Sequence, residues 1–316
     1  MFSLHRFRHV AKSVVGTVWG SRTYLPDDCT RESEGRYPLE LEFTLRDRSH
    51  FYGWFDDNGV PMRRYATSGL QYVPTRIAAY GLAHFNRWMR TRCEDDRATF
   101  LRMADWFMLA SDARWRYHFA MPGLPSGWIS CMAQGEGISV LTRAFTLTGD
   151  VAYLNQARGA AEPLTVPIAE GGVKSLIDEE WLFLEEYPLH RPRHTLNGFL
   201  YSLVGLLDLC EVEPHLRTTL GVDDFIRTLK RRWTLWDAGY WSKYDLHVSR
   251  AQMPNLATGQ YHNIHVALLD YIASREHSIE LEAVAKQWRM LATIPSCRLR
   301  AILAKIAYRT TEPAYV

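Results

Sequence analysis

Little in this sequence would staple it or set it in a membrane. Its five cysteines, Cys29, Cys93, Cys131, Cys210 and Cys297, are scattered, odd in number and form no CxxC pair. That argues against a disulfide framework or a cysteine zinc site and fits a reducing compartment. No apolar run approaches the roughly 20 residues of a membrane span. The net charge is only +2, so no global field points to nucleic acid. No GxSxG, Walker or GxGxxG pattern stands in a strand–turn–helix context. His262 and His265 form an HxxH without further ligands, so neither a metal nor a redox cofactor is expected. Residues 1–20 carry Arg6, Arg8 and Lys12 but only the short apolar run 14–18, a poor signal peptide. The expectation is a cytoplasmic protein. An ordinary exposed helix at this terminus competes with a basic segment resting on the inner face of a membrane.

What the chain does have is aromatic rings, 13% of its residues, with 11 Trp and 16 Tyr. Such rings stack on pyranose faces in sugar clefts, but large helical cores use them too. The densest chemistry lies in Glu185-Glu186-Tyr187-Pro188, two carboxylates and a phenol closed by a proline. The run Trp181-Leu182-Phe183-Leu184 before it predicts a short strand, and residues 195–210 after it a buried helix. Set between two buried elements, these groups would have shifted pKa values. The competing reading is a solvated acidic turn.

Residues 1–73 form a mixed N-terminal region. Period-two alternation over 39–45 predicts a strand or extended arm, and Asp56-Asp57-Asn58-Gly59 a hairpin turn. From Pro74 helices follow in pairs. The first opens at Pro74, the second spans 95–109 and the third spans 129–148. The third closes at Gly149, with Asp150 capping the fourth. A hairpin over 173–184 turns near Asp178. The fifth helix, 195–210, is apolar nearly all round, the sixth runs from 223 to about 235, and the seventh and eighth open near Gly259 and Ser278. Buried and amphipathic helices alternate about four times. The expected fold is mainly α: an incomplete (α/α) toroid over 74–292, with an N-terminal hairpin region and a short hairpin carrying the active-site loop. Residues 293–316 read as a basic amphipathic tail, with Arg298, Arg300, Lys305 and Arg309 interleaved with Leu299, Ile302, Leu303 and Ile306. Such a helix suits an anionic membrane or a partner, or is a plain surface helix.

Three tyrosines stand where proton transfer would be served. Tyr187 follows the acidic pair, Tyr244 lies in 240–246, and Tyr261 opens the seventh helix. A phenol is a weak base unless its pKa falls, and a competent acid near neutrality. The alternative for each is a core ring with its hydroxyl bonded. Arg191, Arg193 and His194 follow the acidic loop and suit anionic groups, or are simply solvated.

Residues 127–139, Gly-Trp-Ile-Ser-Cys-Met-Ala-Gln-Gly-Glu-Gly-Ile-Ser, resemble the helix-opening motif of the D-glucuronyl C5-epimerases, which convert glucuronate to iduronate in heparan-type chains. Glu185-Glu186-Tyr187-Pro188 with Leu196-Asn197-Gly198-Phe199 is similar to that family's next block. Tyr244-Asp245-Leu246 and Pro254-Asn255-Leu256-Ala257, then Tyr261-His262 and His265, are similar to its last ones. Upstream, Pro74, Ile77-Ala78 and Tyr80-Gly81-Leu82 with His84 resemble the lead into its helical domain. The resemblance implies an (α/α) toroid, with catalytic positions at Glu186, Tyr187, Tyr244 and Tyr261. Substrate contacts are expected from Tyr72, Arg76, Trp128, Gln134, Arg193, His194, Asn197, Asn255, His262 and His265. It implies an anionic, glucuronate-containing, heparosan-like substrate, a homodimer, and a short bacterial-type member without the β-sandwich that animal members insert. Where those carry Arg-Trp-Asp, this chain has Thr258-Gly259-Gln260. The rival functions are a polysaccharide lyase, which begins with the same C5 proton abstraction, and a non-catalytic polysaccharide-binding protein.

Overall fold

A computed structural model of the chain describes residues 24–26 and 35–312. The basic segment at residues 1–20 lies outside the described residues. Twelve helices, seven short strands and three small antiparallel sheets make up the described part, so the protein is mainly helical.

The N-terminal region differs from its alternating pattern. Leu39 and Leu41 are buried as predicted, but the backbone turns helical at α1 (Phe43–Arg46) and α2 (Arg48–Phe51), and only Glu40 bridges another segment, at Tyr24. Thr44 bonds back to the Leu41 carbonyl, a local partner that competes with a strand ladder. The Asp56–Gly59 turn forms as expected. The Asp56 carboxylate accepts from the amides of Asn58 and Val60, and Gly59 takes φ +76°. It joins β1 (Trp54–Phe55) to β2 (Pro61–Tyr65), and β3 (Gly69–Tyr72) completes a three-stranded sheet.

The helices follow their caps. Pro74 opens α3 (Pro74–Thr91), and α4 (Glu94–Met108) packs on it. α5 (Cys131–Thr148) ends at Gly149 in the left-handed conformation. Asp150 then caps α6 (Val151–Thr165) by accepting from Ala152 N. β4 (Lys174–Ile177) and β5 (Trp181–Leu184) form the expected hairpin, turning through Asp178 and Glu179 at positive φ. α7 (Leu196–Val212) is buried nearly all round, while α8 (Leu216–Thr219) and α9 (Val222–Arg232) lie outside it. β6 (Lys243–Val248) pairs with β7 (Pro254–Leu256). α10 (Gly259–Arg275), α11 (Ile279–Leu291) and α12 (Pro295–Thr311) end the described chain. Thr258 and Ser278 cap α10 and α11 from the side chain.

The core lies between α3, α5, α7 and α10, which neighbour one another in that order. α5 and α7 approach backbone to backbone. A Cβ on Gly135 would stand 2.5 Å from Ser202 Cα, and one on Gly205 2.2 Å from the Gly135 carbonyl oxygen. These glycines are required by that approach, not by turn geometry. The four helices run the same way. Near their starts Met132 of α5 touches Asn197 of α7. Near their ends Arg143 of α5, Asp208 of α7 and Tyr271 of α10 form one network, with Phe85 of α3 against the Arg143 guanidinium. Four helix N-termini therefore gather at one end of the molecule, where their dipoles favour negative charge.

α12 is docked, not free. Ala301, Ile302 and Tyr308 are buried, Arg300 lies 3.9 Å over the Tyr240 ring, and Leu299 and Leu303 face outward. Among the described residues no helix is long and apolar enough to cross a membrane.

Candidate active site

At the N-terminal end of the inner helices the structure brings Glu186, Tyr187, Tyr244 and Tyr261 into one cluster. They arrive from three places: the loop after β5, strand β6 and the first turn of α10. The Tyr187 hydroxyl lies beside the Glu186 carboxylate and Tyr244, and Tyr244 beside Tyr261, close enough for each to act on the next one's titration. The rings of Tyr244 and Tyr261 meet edge to face with centroids 5.0 Å apart. The three phenols keep some exposed surface while Glu186, behind them, is buried. The phenols thus reach the surface and the carboxyl lies beneath them.

The solvated-turn reading of the acidic pair fails: Glu185 is 0% exposed and Glu186 7%. Adjacent residues on extended backbone point opposite ways, and here they do different work. Glu185 accepts from Ser175 Oγ at 2.7 Å and from the backbone amide of His194 at 3.1 Å, and lies 2.7 Å from His194 Nδ1. It pins the two ends of the loop together. Glu186 turns into the cluster and accepts from Asn197 Nδ2 at 2.8 Å. A Cβ at position 198 would lie 2.5 Å from the Glu186 Cβ, so Gly198 lets α7 come this close.

Burial sets the electrostatics. It pushes the Glu186 carboxyl up to about 7, against the bonds from Tyr187 and Asn197 that favour its charge. Burial, with the negative charge of Glu186 beside them, holds the phenols of Tyr187, Tyr244 and Tyr261 well above the usual tyrosine value. A carboxyl poised near neutrality beside phenols that keep their protons is a base next to acids. Arg63, on β2, acts on Tyr261 in the opposite sense, favouring the phenolate.

Other sequence candidates divide into two groups. Asn197 touches Glu186, and its Oδ1 has no partner. Asn255 donates to Asp245 at 2.8 Å, and Arg193 lies close enough to Asp245 to favour its ionised form. Trp128 is 6.0 Å from Tyr187 by ring centroid, but one face is stacked on Tyr117 at 4.0 Å and its indole N–H is given to the Phe119 carbonyl. It belongs to an aromatic wall with Tyr65, Tyr117 and Phe119. The structure does not bring the rest to the cluster. Gln134 is spent on the backbones of Ala113, Trp115 and Ala160. His262 is stacked on Trp241 at 3.8 Å, sits 2.8 Å from Ser242 Oγ and 2.9 Å from the Trp288 carbonyl, and is held neutral by burial, its pKa lowered to about 4. His265 shares the same serine. Tyr72 donates to Asp56, Arg76 to the Phe51 carbonyl, and His194 sits at φ +53° against Glu185.

Three groups escaped the sequence reading. Asp245 is buried behind Tyr244, its carboxyl raised to about 6 by burial, and it raises Glu186 in turn. Glu136 is buried on α5 between Gly135 and Gly137, with Oε2 unpartnered and its pKa well raised by burial and by Glu186. Lys305, on α12, is bonded to Asn255. The signal for Lys305 was present: buried Ala301, Ile302 and Tyr308 stand four and three residues before it and three after, on its own helix face. Among the described residues no cluster of His, Cys, Asp or Glu is placed to hold a metal ion.

The comparisons with known proteins meet this geometry. The family model described as D-glucuronyl C5-epimerase C-terminus matches residues 110–290, a span that holds Glu186, Tyr187, Tyr244 and Tyr261. A D-glucuronyl C5-epimerase of Caenorhabditis elegans is 40% identical over 178 residues, 52% of this chain and 29% of that protein. An uncharacterized protein of Methanocaldococcus jannaschii is 29% identical over 136 residues, 42% of this chain and 44% of that one. The matched stretch is less than half the length of either relative. The chain belongs to the D-glucuronyl C5-epimerase family.

Proposed function

We propose that the protein is a polysaccharide uronate C5-epimerase that converts D-glucuronate to L-iduronate in a heparosan-like chain. The observation that carries this is the cluster of Glu186, Tyr187, Tyr244 and Tyr261, a buried carboxyl whose pKa lies near neutrality beside three partly exposed phenols. The name of the C. elegans relative supports it. The order of the inner helices α3, α5, α7 and α10, each with an outer helix against it, supports the incomplete (α/α) toroid that would frame such a cluster.

The hydrogen on C5 is very weakly acidic, because a carboxylate stands beside it. Tyr187 takes this proton as its own passes to Glu186, the one group of the series whose pKa lies near neutrality. Tyr261, at the far end of the series, gives a proton to the opposite face of C5. Tyr244 stands between the two phenols and passes on the proton that replaces the one Tyr261 delivers. Charge that builds on the uronate carboxylate meets the positive ends of α5, α7 and α10 and the guanidinium of Arg63.

Incubation with heparosan in deuterated water, followed by NMR of the sugar ring, tests this reading. Deuterium at C5 with iduronate signals and no chain shortening is the expected result. Unsaturated chain ends would make the protein a lyase. No exchange on any of a panel of glucuronate polymers would leave a binding protein.

A further inference from the structure

The sequence suggests that the basic residues of the last helix face outward, yet Lys305 does the opposite. It is half-buried, and its ammonium donates to Asn255 Oδ1 and to the Leu256 carbonyl, both at 2.7 Å. Asn255 in turn donates to Asp245 at 2.8 Å. The same ammonium lies 5.5 Å from the centre of the Tyr244 ring and 5.8 Å from that of Tyr308. One lysine therefore touches both strands of the β6–β7 pair that carries Tyr244. A cation withdrawn from water costs free energy unless it is bonded, and here it has two acceptors and two ring faces. α12 begins after residue 290, where the family match ends. An element outside the matched domain thus reaches into its reaction centre.

We propose that Lys305 is a positioning residue of the reaction: it locks the Asn255–Asp245 pair in place and lays a positive charge against the face of Tyr244. The proposal rests on the epimerase reading for its kinetic readout only. Lys305 acts through Tyr244, not on the sugar. The groups that face it are Asp245 and Tyr244 of β6, Asn255 of β7, and Tyr308 and Arg309 of its own helix; Arg193 acts on the same carboxylate. Burial and Arg309 bring its pKa down to about 7, so its charge is present below neutrality and lost above it. Activity that depends on that charge falls on the alkaline side of about pH 7.

The test uses the full chain and three variants. Lys305→Met keeps the stem and removes the charge. Lys305→Arg keeps a charge that does not titrate in this range. Leu303→Ser, on the exposed face of α12, controls for helix docking. Lys305→Met should lower kcat for C5 exchange about 10- to 100-fold, the scale of a lost positioning contact, with KM within about twofold. Lys305→Arg should remove the alkaline limb. Tyrosine labelled with carbon-13 at Cζ, with Tyr244 assigned through Tyr244→Phe, gives a readout independent of turnover. In a Glu186→Gln background the Tyr244 signal should show a step near pH 7 with Lys305 present, apart from that of Asp245 near pH 6, and lose the step near pH 7 in Lys305→Met or Lys305→Arg. A folded Lys305→Met with wild-type kcat and pH profile overturns the proposal. So does a Tyr244 signal that moves alike in every variant. If the wild type exchanges no substrate, the epimerase reading falls and the NMR titration still decides the role of Lys305.

Discussion

The same inner helices carry two buried polar layers, and the two are built differently. Near the C-terminal ends Arg143 donates to Asp208 at 2.5 Å, Ser139 at 2.6 Å and Tyr271 at 2.8 Å. The carboxylate there has a cation and two hydroxyls, and the guanidinium is stacked on Tyr37. About 11 residues toward the N-terminal ends, roughly 16 Å along a helix, Glu186 has Asn197 and Tyr187 and no cation among its bonded partners. Glu136 lies between the layers with one oxygen unpartnered. A paired charge is a fastening. A carboxyl left without a counter-charge has its pKa raised, which is what proton transfer at neutral pH needs. The lower layer holds the helices in register so that the upper layer can carry the strain of uncompensated acids.

Substitutions in the two layers should therefore fail in different ways. Glu186→Gln should cut C5 exchange by about 10²- to 10⁴-fold, the range for a lost general base, while leaving the denaturant midpoint unchanged or raised. Loss of fold instead would make Glu186 a fastening too. Asp208→Ala should do the reverse. It strands Arg143 in the core, and urea unfolding should show a loss of about 3–5 kcal/mol. A variant as stable as wild type would erase the difference between the layers. Gly198→Ala lies at the boundary. Its methyl group would push Glu186 from Asn197, and exchange should fall about 100-fold or more at a stability cost of about 1–3 kcal/mol.

The pH dependence separates the layers further. In the wild type exchange should fall as pH drops through about 7, because Glu186 gains its proton there. The folded pKa of Glu186 lies above the unfolded one, so between roughly pH 4 and 7 the folded state binds more protons. Stability therefore falls as pH rises across that window. Glu186→Gln should flatten this slope in urea titrations taken at a series of pH values, and an unaltered slope would place its pKa in the ordinary range. The smallest effect belongs to Tyr271→Phe. It removes one of several bonds to Asp208 and should cost about 1 kcal/mol with exchange unchanged.

Local chemistry was enough to place the helix ends and hairpins. Gly149, Asp150, Pro74, Thr258 and Ser278 act within one turn of themselves, and Asp56 with Gly59 needs only its own loop. Residues 39–45 misled because alternation says which side chains are buried, not whether a neighbouring strand exists to pair with. The four clustered residues, Glu186, Tyr187, Tyr244 and Tyr261, were legible as a set of blocks, but not their arrangement around one another.

The sequence by itself determined the mainly helical pairs, the hairpin that presents the acidic loop, and the identity of its acid and phenols. Only the tertiary structure decided that Glu185 clasps the ends of its loop while Glu186 is buried beside the phenols with its carboxyl raised toward neutrality. It also decided that His262 and His265 serve the core, and that Lys305 points inward rather than at a surface. The physical reason is one and the same. A titratable group takes its role from its desolvation and from partners outside its own stretch of chain: Glu186 from Asn197 and Asp245, Lys305 from Asn255. No local pattern encodes those distances.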